Sequence, residues 1–237
     1  MTSKPSQLEV LCVEFFSDAL YEEHLLYLLD EIDKRNDYKN IILAPELYLS
    51  GFDYEAMDKA SNFSEYAIDT LKQKVDKAIV VLTLIRKLGD GFVNQAIVIH
   101  DHKIIHTQEK SKLFKLGKED KHFVSGDQSK IIPFEIDGVC YGILICFELR
   151  FKDLWKQLEK CDVIMVPSKW GIVREHHFEI LTKALSVMNQ CFVIAVSSGD
   201  KDVANSSMII SPNGAYCDAT IDLKEVIKMR RYIAMEG

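Results

Sequence analysis

Apolar residues in this chain recur in two rhythms. Asn40–Pro45, Ala78–Ile85, Asp162–Pro167 and Phe192–Ser197 are short runs of consecutive β-prone residues, the pattern of strands covered on both faces. Leu8–Phe15 reads as a further strand. Between them, Tyr21–Lys34 sets Leu25, Leu26, Leu28, Leu29 and Ile32 at helical spacing, and helices are also predicted over Glu65–Val75, Phe151–Leu158, Glu175–Met188 and Leu223–Arg231. Three pairs of runs flank turn residues. Gly91–His100 and Lys103–Thr107 surround Asp101-His102. Lys130–Ile136 and Val139–Cys146 surround Asp137-Gly138. Ser207–Ser211 and Ala215–Ala219 surround Pro212-Asn213-Gly214. Strands alternating with helices, interrupted by hairpins, imply sheets sandwiched between helix layers. No linker composition breaks the pattern, so residues 1–237 read as one domain.

Charge narrows the function classes. The formal net charge is -7, whereas a nucleic-acid binder needs a basic field to neutralise phosphates. The densest basic stretch, Lys110 to Lys121, is broken by Glu119 and Asp120, so no nucleic-acid partner is expected. Met1–Gln7 has no apolar leader core, and no uncharged apolar run approaches the roughly 20 residues of a membrane span. The six cysteines form no CxxC pair, and Cys12 and Cys191 sit in apolar runs as small hydrophobes would. These features together predict a cytoplasmic protein with reduced thiols and no membrane partner. His176 and His177 are adjacent on a helix and face different directions, so no metal is expected there.

Chemistry is suggested where charged or nucleophilic residues follow buried runs. Cys146 closes the run Val139–Ile145 and precedes a helix. That context fits an exposed thiol near backbone N–H groups, which favour thiolate and oxyanion, and it equally fits one more buried cysteine. Glu46 follows Ile41–Pro45 directly; in an apolar pocket it would be a general base, and in a surface loop merely a solvated acid. Lys110 follows another strand and could stabilise a thiolate or a developing oxyanion. Lys169 and Trp170 follow Pro167 and are candidates for lining a substrate pocket, with simple packing the other reading of Trp170. Glu148 and Arg150 are read as an ion pair orienting the cysteine turn.

Taken together, these residues resemble the carbon–nitrogen hydrolase (nitrilase) superfamily. Pro45-Glu46 with Gly51-Phe52 matches its first motif, Lys110 before Lys112-Leu113-Phe114 its second, and Gly142 with Cys146-Phe147-Glu148-Leu149-Arg150-Phe151 its third. Asn94, Pro167-Ser168 with Trp170, and Met208–Gly214 extend the similarity over almost the whole chain. The resemblance implies an α/β fold, a four-layer α-β-β-α sandwich with two mixed sheets between helix layers. It implies a Glu46–Lys110–Cys146 triad, with Glu119, seven residues before Gly126-Asp127, as a helper. Phe147 would lend its backbone N–H to the oxyanion. The implied reaction is hydrolysis of a non-peptide C–N bond in a small amide or N-carbamoyl compound through a cysteine thioester, with no cofactor and no metal. Nitrile hydrolysis and a catalytically silent scaffold are the alternatives. A homodimer or higher homo-oligomer built by stacking helix layers is implied as well. Two positions depart from the pattern: Glu148 stands where Asp is usual, and Met188 where a Glu is common.

Overall fold

A computed structural model describes residues 5–15, 18–197, 202–204 and 207–234. In chain order its elements are β1 (Gln7–Cys12), α1 (Tyr21–Arg35), β2 (Ile41–Leu43), α2 (Met57–Lys74), β3 (Ile79–Leu88), β4 (Gly91–His100) and β5 (Lys103–Glu109). There follow β6 (Phe134–Ile136), β7 (Val139–Ile143), α3 (Lys152–Gln157), β8 (Val163–Ser168), α4 (Glu175–Asn189), β9 (Phe192–Ser197), β10 (Met208–Ile210), β11 (Thr220–Asp222) and α5 (Lys224–Tyr232). One sheet has the strand order β11-β1-β2-β3-β4-β5, the other β10-β9-β8-β7-β6. Each has a parallel centre, β1-β2-β3 and β7-β8-β9, with antiparallel strands at its margins.

The continuous apolar runs are explained by two-sided burial. Side chains alternate across a strand, so Ile41 and Leu43 point to the interface between the sheets while Ile42 points the other way. Likewise Ile79 and Val81 face the second sheet, and Val80 and Leu82 face Leu25, Leu28 and Ile32 of α1 and Ala67, Ile68 and Leu71 of α2. The inter-sheet core continues through Tyr141, Ile143, Val163 and Ile194 to Leu154 of α3 and Phe178 and Leu185 of α4. The result is the α-β-β-α sandwich.

Three elements depart from the sequence expectation. Helix α2 begins at Met57, not Glu65, because Ala60, Ser61 and Ser64 continue its buried face. Small and hydroxylic side chains hide that face from a hydropathy pattern: Ser64 Oγ donates to Ala60 O at 2.8 Å, and Ser61 Oγ accepts Lys87 N at 2.9 Å. Strand β3 runs on to Leu88 and forms a hairpin with β4, its charged Arg86 and Lys87 paired with Val93 and Phe92. The expected strand Ala215–Ala219 is reduced to a single bridge, Ile210 with Tyr216. The chain then crosses to the other sheet, where β11 pairs antiparallel with β1.

Candidate active site

Glu46, Lys110 and Cys146 each lie just past the end of a strand: β2, β5 and β7 respectively. Lys169 and Trp170 follow β8. Backbone bonds hold these exits together. Lys110 N donates to Asn94 O at 2.8 Å, Gly126 N to Lys110 O at 2.9 Å, and Glu46 N to Ser168 O at 3.3 Å, the last joining the two sheets. Leu47 N donates to Thr83 Oγ1 at 2.6 Å, and Leu47 is left-handed at φ 52°.

Lys110 is fully buried between two buried carboxylates. Its Nζ donates to Glu46 Oε1 at 2.6 Å and to Glu119 Oε1 at 2.8 Å. Burial alone would lower its pKa, but Glu46, the Cys146 thiol and Glu119 hold it above the usual lysine range. Glu119 is raised from the usual carboxylate range by burial first and then by the charge of Glu46, with Lys110 opposing; Glu119 Oε2 also accepts Phe114 N at 3.0 Å. Asn94 Nδ2 donates to Glu46 Oε1 at 2.9 Å. Glu46 Oε2 takes no bond of ordinary hydrogen-bond geometry, yet hydrogen bonding to Glu46 is among the causes that raise the Cys146 thiol. Oε1 being doubly occupied, Oε2 is the oxygen open to the sulfur proton. All four predicted polar residues therefore converge.

Cys146 is 8% exposed and left-handed, with φ 47°. That region is costly for a residue with a Cβ. Glu148 enforces the turn. Its Oε2 accepts Ile145 N at 2.8 Å, and its Oε1 accepts Ser111 N at 2.7 Å and Ser111 Oγ at 2.9 Å. The expected Glu148–Arg150 ion pair is corrected: Glu148 is buried on amides, while Arg150 lies over the Trp170 ring at 4.9 Å and its Nη2 meets His177 Nδ1 at 3.1 Å. Glu148 thereby fastens the cysteine turn to the residue after Lys110. The expected bias toward thiolate is corrected too. Burial, then the Glu46 carboxylate, lifts the Cys146 pKa well above the ordinary thiol value, with Lys110 opposing. The two largest causes both favour the protonated sulfur.

Cys146 opens onto a small pocket of about 30 Å3, lined by Phe114, Phe147, Lys169, Trp170, Arg150 and Arg174 among others. Phe147, Lys169 and Trp170 are thus where the sequence reading put them. Trp170 also packs, stacked on Phe178 and donating Nε1 to Arg174 O at 2.7 Å, so both of its readings hold. Arg174 and Phe114 were not singled out, because isolated arginines and phenylalanines carry no local signal. Arg174 lies over the Phe114 ring at 5.2 Å, and burial followed by the charge of Arg174 lowers the pKa of Arg150.

Known proteins resemble this chain in sequence and in fold. The carbon–nitrogen hydrolase family matches residues 23–228. The 2-oxoglutaramate amidase of Bacillus subtilis is 29% identical over 223 residues, covering 85% of each chain. An omega-amidase of Escherichia coli is 24% identical over 205 residues, covering 83% of this chain and 78% of that one. In fold, the chain is similar to a CN-hydrolase superfamily protein from Xanthomonas campestris, with a TM-score of 0.80 at 19% identity over 95% of this chain and 94% of the other.

Proposed function

The chain belongs to the carbon–nitrogen hydrolase family, and from that premise we propose that it hydrolyses the terminal amide of a small ω-amido acid through a thioester on Cys146. The observation that carries this reading is Lys110, locked between Glu46 and Glu119 against the Cys146 thiol. Glu46 takes the sulfur proton as the sulfur attacks the amide carbon. An ammonium group has three N–H donors; two are engaged by Glu46 and Glu119, so the third is available to the developing oxyanion, beside the Phe147 N–H. Such a donor contributes about 3 kcal/mol to the transition state. Glu46 then returns the proton to the leaving nitrogen, and ammonia departs. Water attacks the thioester with Glu46 again as base; the acid leaves and the thiol is restored. Glu119 keeps Lys110 in place through both halves.

The substrate class follows from the pocket rim. Neither Arg150 nor Arg174 is paired with a carboxylate among the described residues, and the charge of Arg174 helps to lower the pKa of Arg150. An anionic substrate end relieves that repulsion, and guanidinium matches carboxylate geometry. The names of the two relatives, a 2-oxoglutaramate amidase and an omega-amidase, support the same class.

The test is ammonia release from 2-oxoglutaramate and related ω-amides, each against its neutral methyl ester. The free acids are expected to have the higher kcat/KM by about tenfold or more, the worth of one charge-assisted contact. Cys146→Ala is expected to be inert. Equal turnover of acid and ester would remove the carboxylate assignment, and release of ammonia by Cys146→Ala would remove the thioester.

A further inference from the structure

At the end of the second sheet away from Cys146, two other thiols meet. Strands β7 and β8 run parallel, with Tyr141 opposite Val163. Cys140 consequently stands beside Asp162, and Asp162 N donates to Cys140 O at 2.7 Å while Cys140 N donates to Asp162 Oδ2 at 3.1 Å. Cys161 is one residue further along. A strand spacing of about 4.8 Å and a rise of about 3.3 Å put its Cα about 6 Å from that of Cys140, inside the range a disulfide can bridge.

The side chains point the right way. Cys140 and Gly142 share one face of β7. A Cβ on Gly142 would come within 2.9 Å of Cys161 Sγ, so the Cys161 sulfur lies over that same face, in room left by the glycine. The two sulfurs are close enough for each to shift the pKa of the other. Cys161 is fully buried, whereas Cys140 is partly exposed. Arg230 of α5 closes over the pair: its Nη2 donates to Cys161 O at 2.6 Å and its Nη1 lies 3.2 Å from Asp162 Oδ1.

The electrostatics separate the roles. Hydrogen bonding with Cys161 lowers the pKa of Cys140 against burial and the Asp162 and Glu135 charges, with Arg230 offsetting part of the latter. The same bond raises Cys161. Cys146, by contrast, sits well above the ordinary thiol value.

We propose that Cys140 and Cys161 form a peroxide-reactive dithiol site, with Cys140 the attacking thiol and Cys161 the resolving one. The Cys140 thiolate attacks one oxygen of hydrogen peroxide. The O–O bond breaks, hydroxide leaves, and Cys140 becomes a sulfenic acid. The Cys161 sulfur then attacks the Cys140 sulfur, its proton leaves with the departing hydroxyl as water, and the S–S bond forms. Two electrons pass from the dithiol to the peroxide. The site is independent of the amidase reading, because none of its groups enters that chemistry.

The experiment treats the whole reduced protein with hydrogen peroxide, caps free thiols with N-ethylmaleimide and maps the digest without reductant. The linked Cys140–Cys161 peptide is expected to form about tenfold faster than any oxidation of Cys146, in keeping with their thiolate fractions, and dithiothreitol is expected to reverse it. In Cys161→Ala, dimedone is expected to label Cys140. The proposal is overturned if Cys140 remains open to N-ethylmaleimide while Cys146 or Cys217 oxidises, or if Cys161 pairs with Cys191. The wild-type map decides the matter even should the buried alanine variant fail to fold, and ammonia release assayed in parallel reports on the amidase reading separately.

Discussion

On the proposed mechanism Lys110 is both a structural cation and an electrophilic contact, and those two roles make separable predictions. Lys110→Met removes the oxyanion donor, so kcat is expected to fall about 10²–10³-fold. The same change strands Glu46 and Glu119 together without a counter-charge, and breaking one side of a buried pair costs about 3–5 kcal/mol. Urea unfolding alongside steady-state kinetics separates the two effects. The raised thiol of Cys146 makes a pH prediction. Burial and Glu46 favour the protonated sulfur, so little thiolate exists near neutrality. Iodoacetamide modification of Cys146, followed by peptide mapping, is expected to keep accelerating above pH 9, the thiol's reference value. A plateau near neutral pH would mean an ion-paired thiolate. At this scale the sequence was legible where local context sufficed. Glu46, Lys110 and Cys146 each follow a recognisable apolar run. Asn94 was assigned no role and Glu148 the wrong partner, because their partners Glu46 and Ser111 lie 48 and 37 residues away, and no short-range pattern encodes such pairings.

Among the elements, the loop 111–126 shows how narrowly Lys110 is placed. Gly126 N bonds to Lys110 O, and a Cβ on Gly126 would stand 2.5 Å from Glu109 O. That neighbour is backbone and cannot swing aside. Gly126→Ala is therefore expected to displace the end of β5, lowering the thermal midpoint by an amount equivalent to about 1–3 kcal/mol. A loss of kcat should accompany it while the far dithiol still reacts. The same scale explains what the hydropathy pattern recovered and what it missed. Helix α1 was found because Leu25, Leu28 and Ile32 mark its buried face, and α4 because Phe178 and Leu185 mark its own. The first turns of α2 were missed because Ala60, Ser61 and Ser64 bury little greasy surface. Strand β11 was missed because its three residues are fixed by pairing with β1 at the other end of the chain.

For the whole molecule, the packing of one sheet on the other unites site and stability. The strands that carry the proposed site come from both sheets: Glu46 and Lys110 follow strands of one, Cys146 and Trp170 strands of the other. Any loosening of the inter-sheet core therefore separates these side chains. Ile143 is wholly buried in that core, three residues before Cys146. Ile143→Ala is expected to destabilise by about 2–5 kcal/mol, read as a shifted urea midpoint with unchanged slope. The α-β-β-α layering was legible in advance because strands apolar on both sides require cover on both sides. The crossing of the chain from β10 to β11, which stitches the sheets into one body, was not.

The left-handed backbone at Cys146 has a cost in stability. A glycine would occupy that elbow with less steric protest than any residue bearing a side chain, by about 1–2 kcal/mol. Cys146→Gly is thus expected to melt at a higher temperature than Cys146→Ala, both being inert. On the proposed mechanism, the sulfur at this bend is stability given up for turnover.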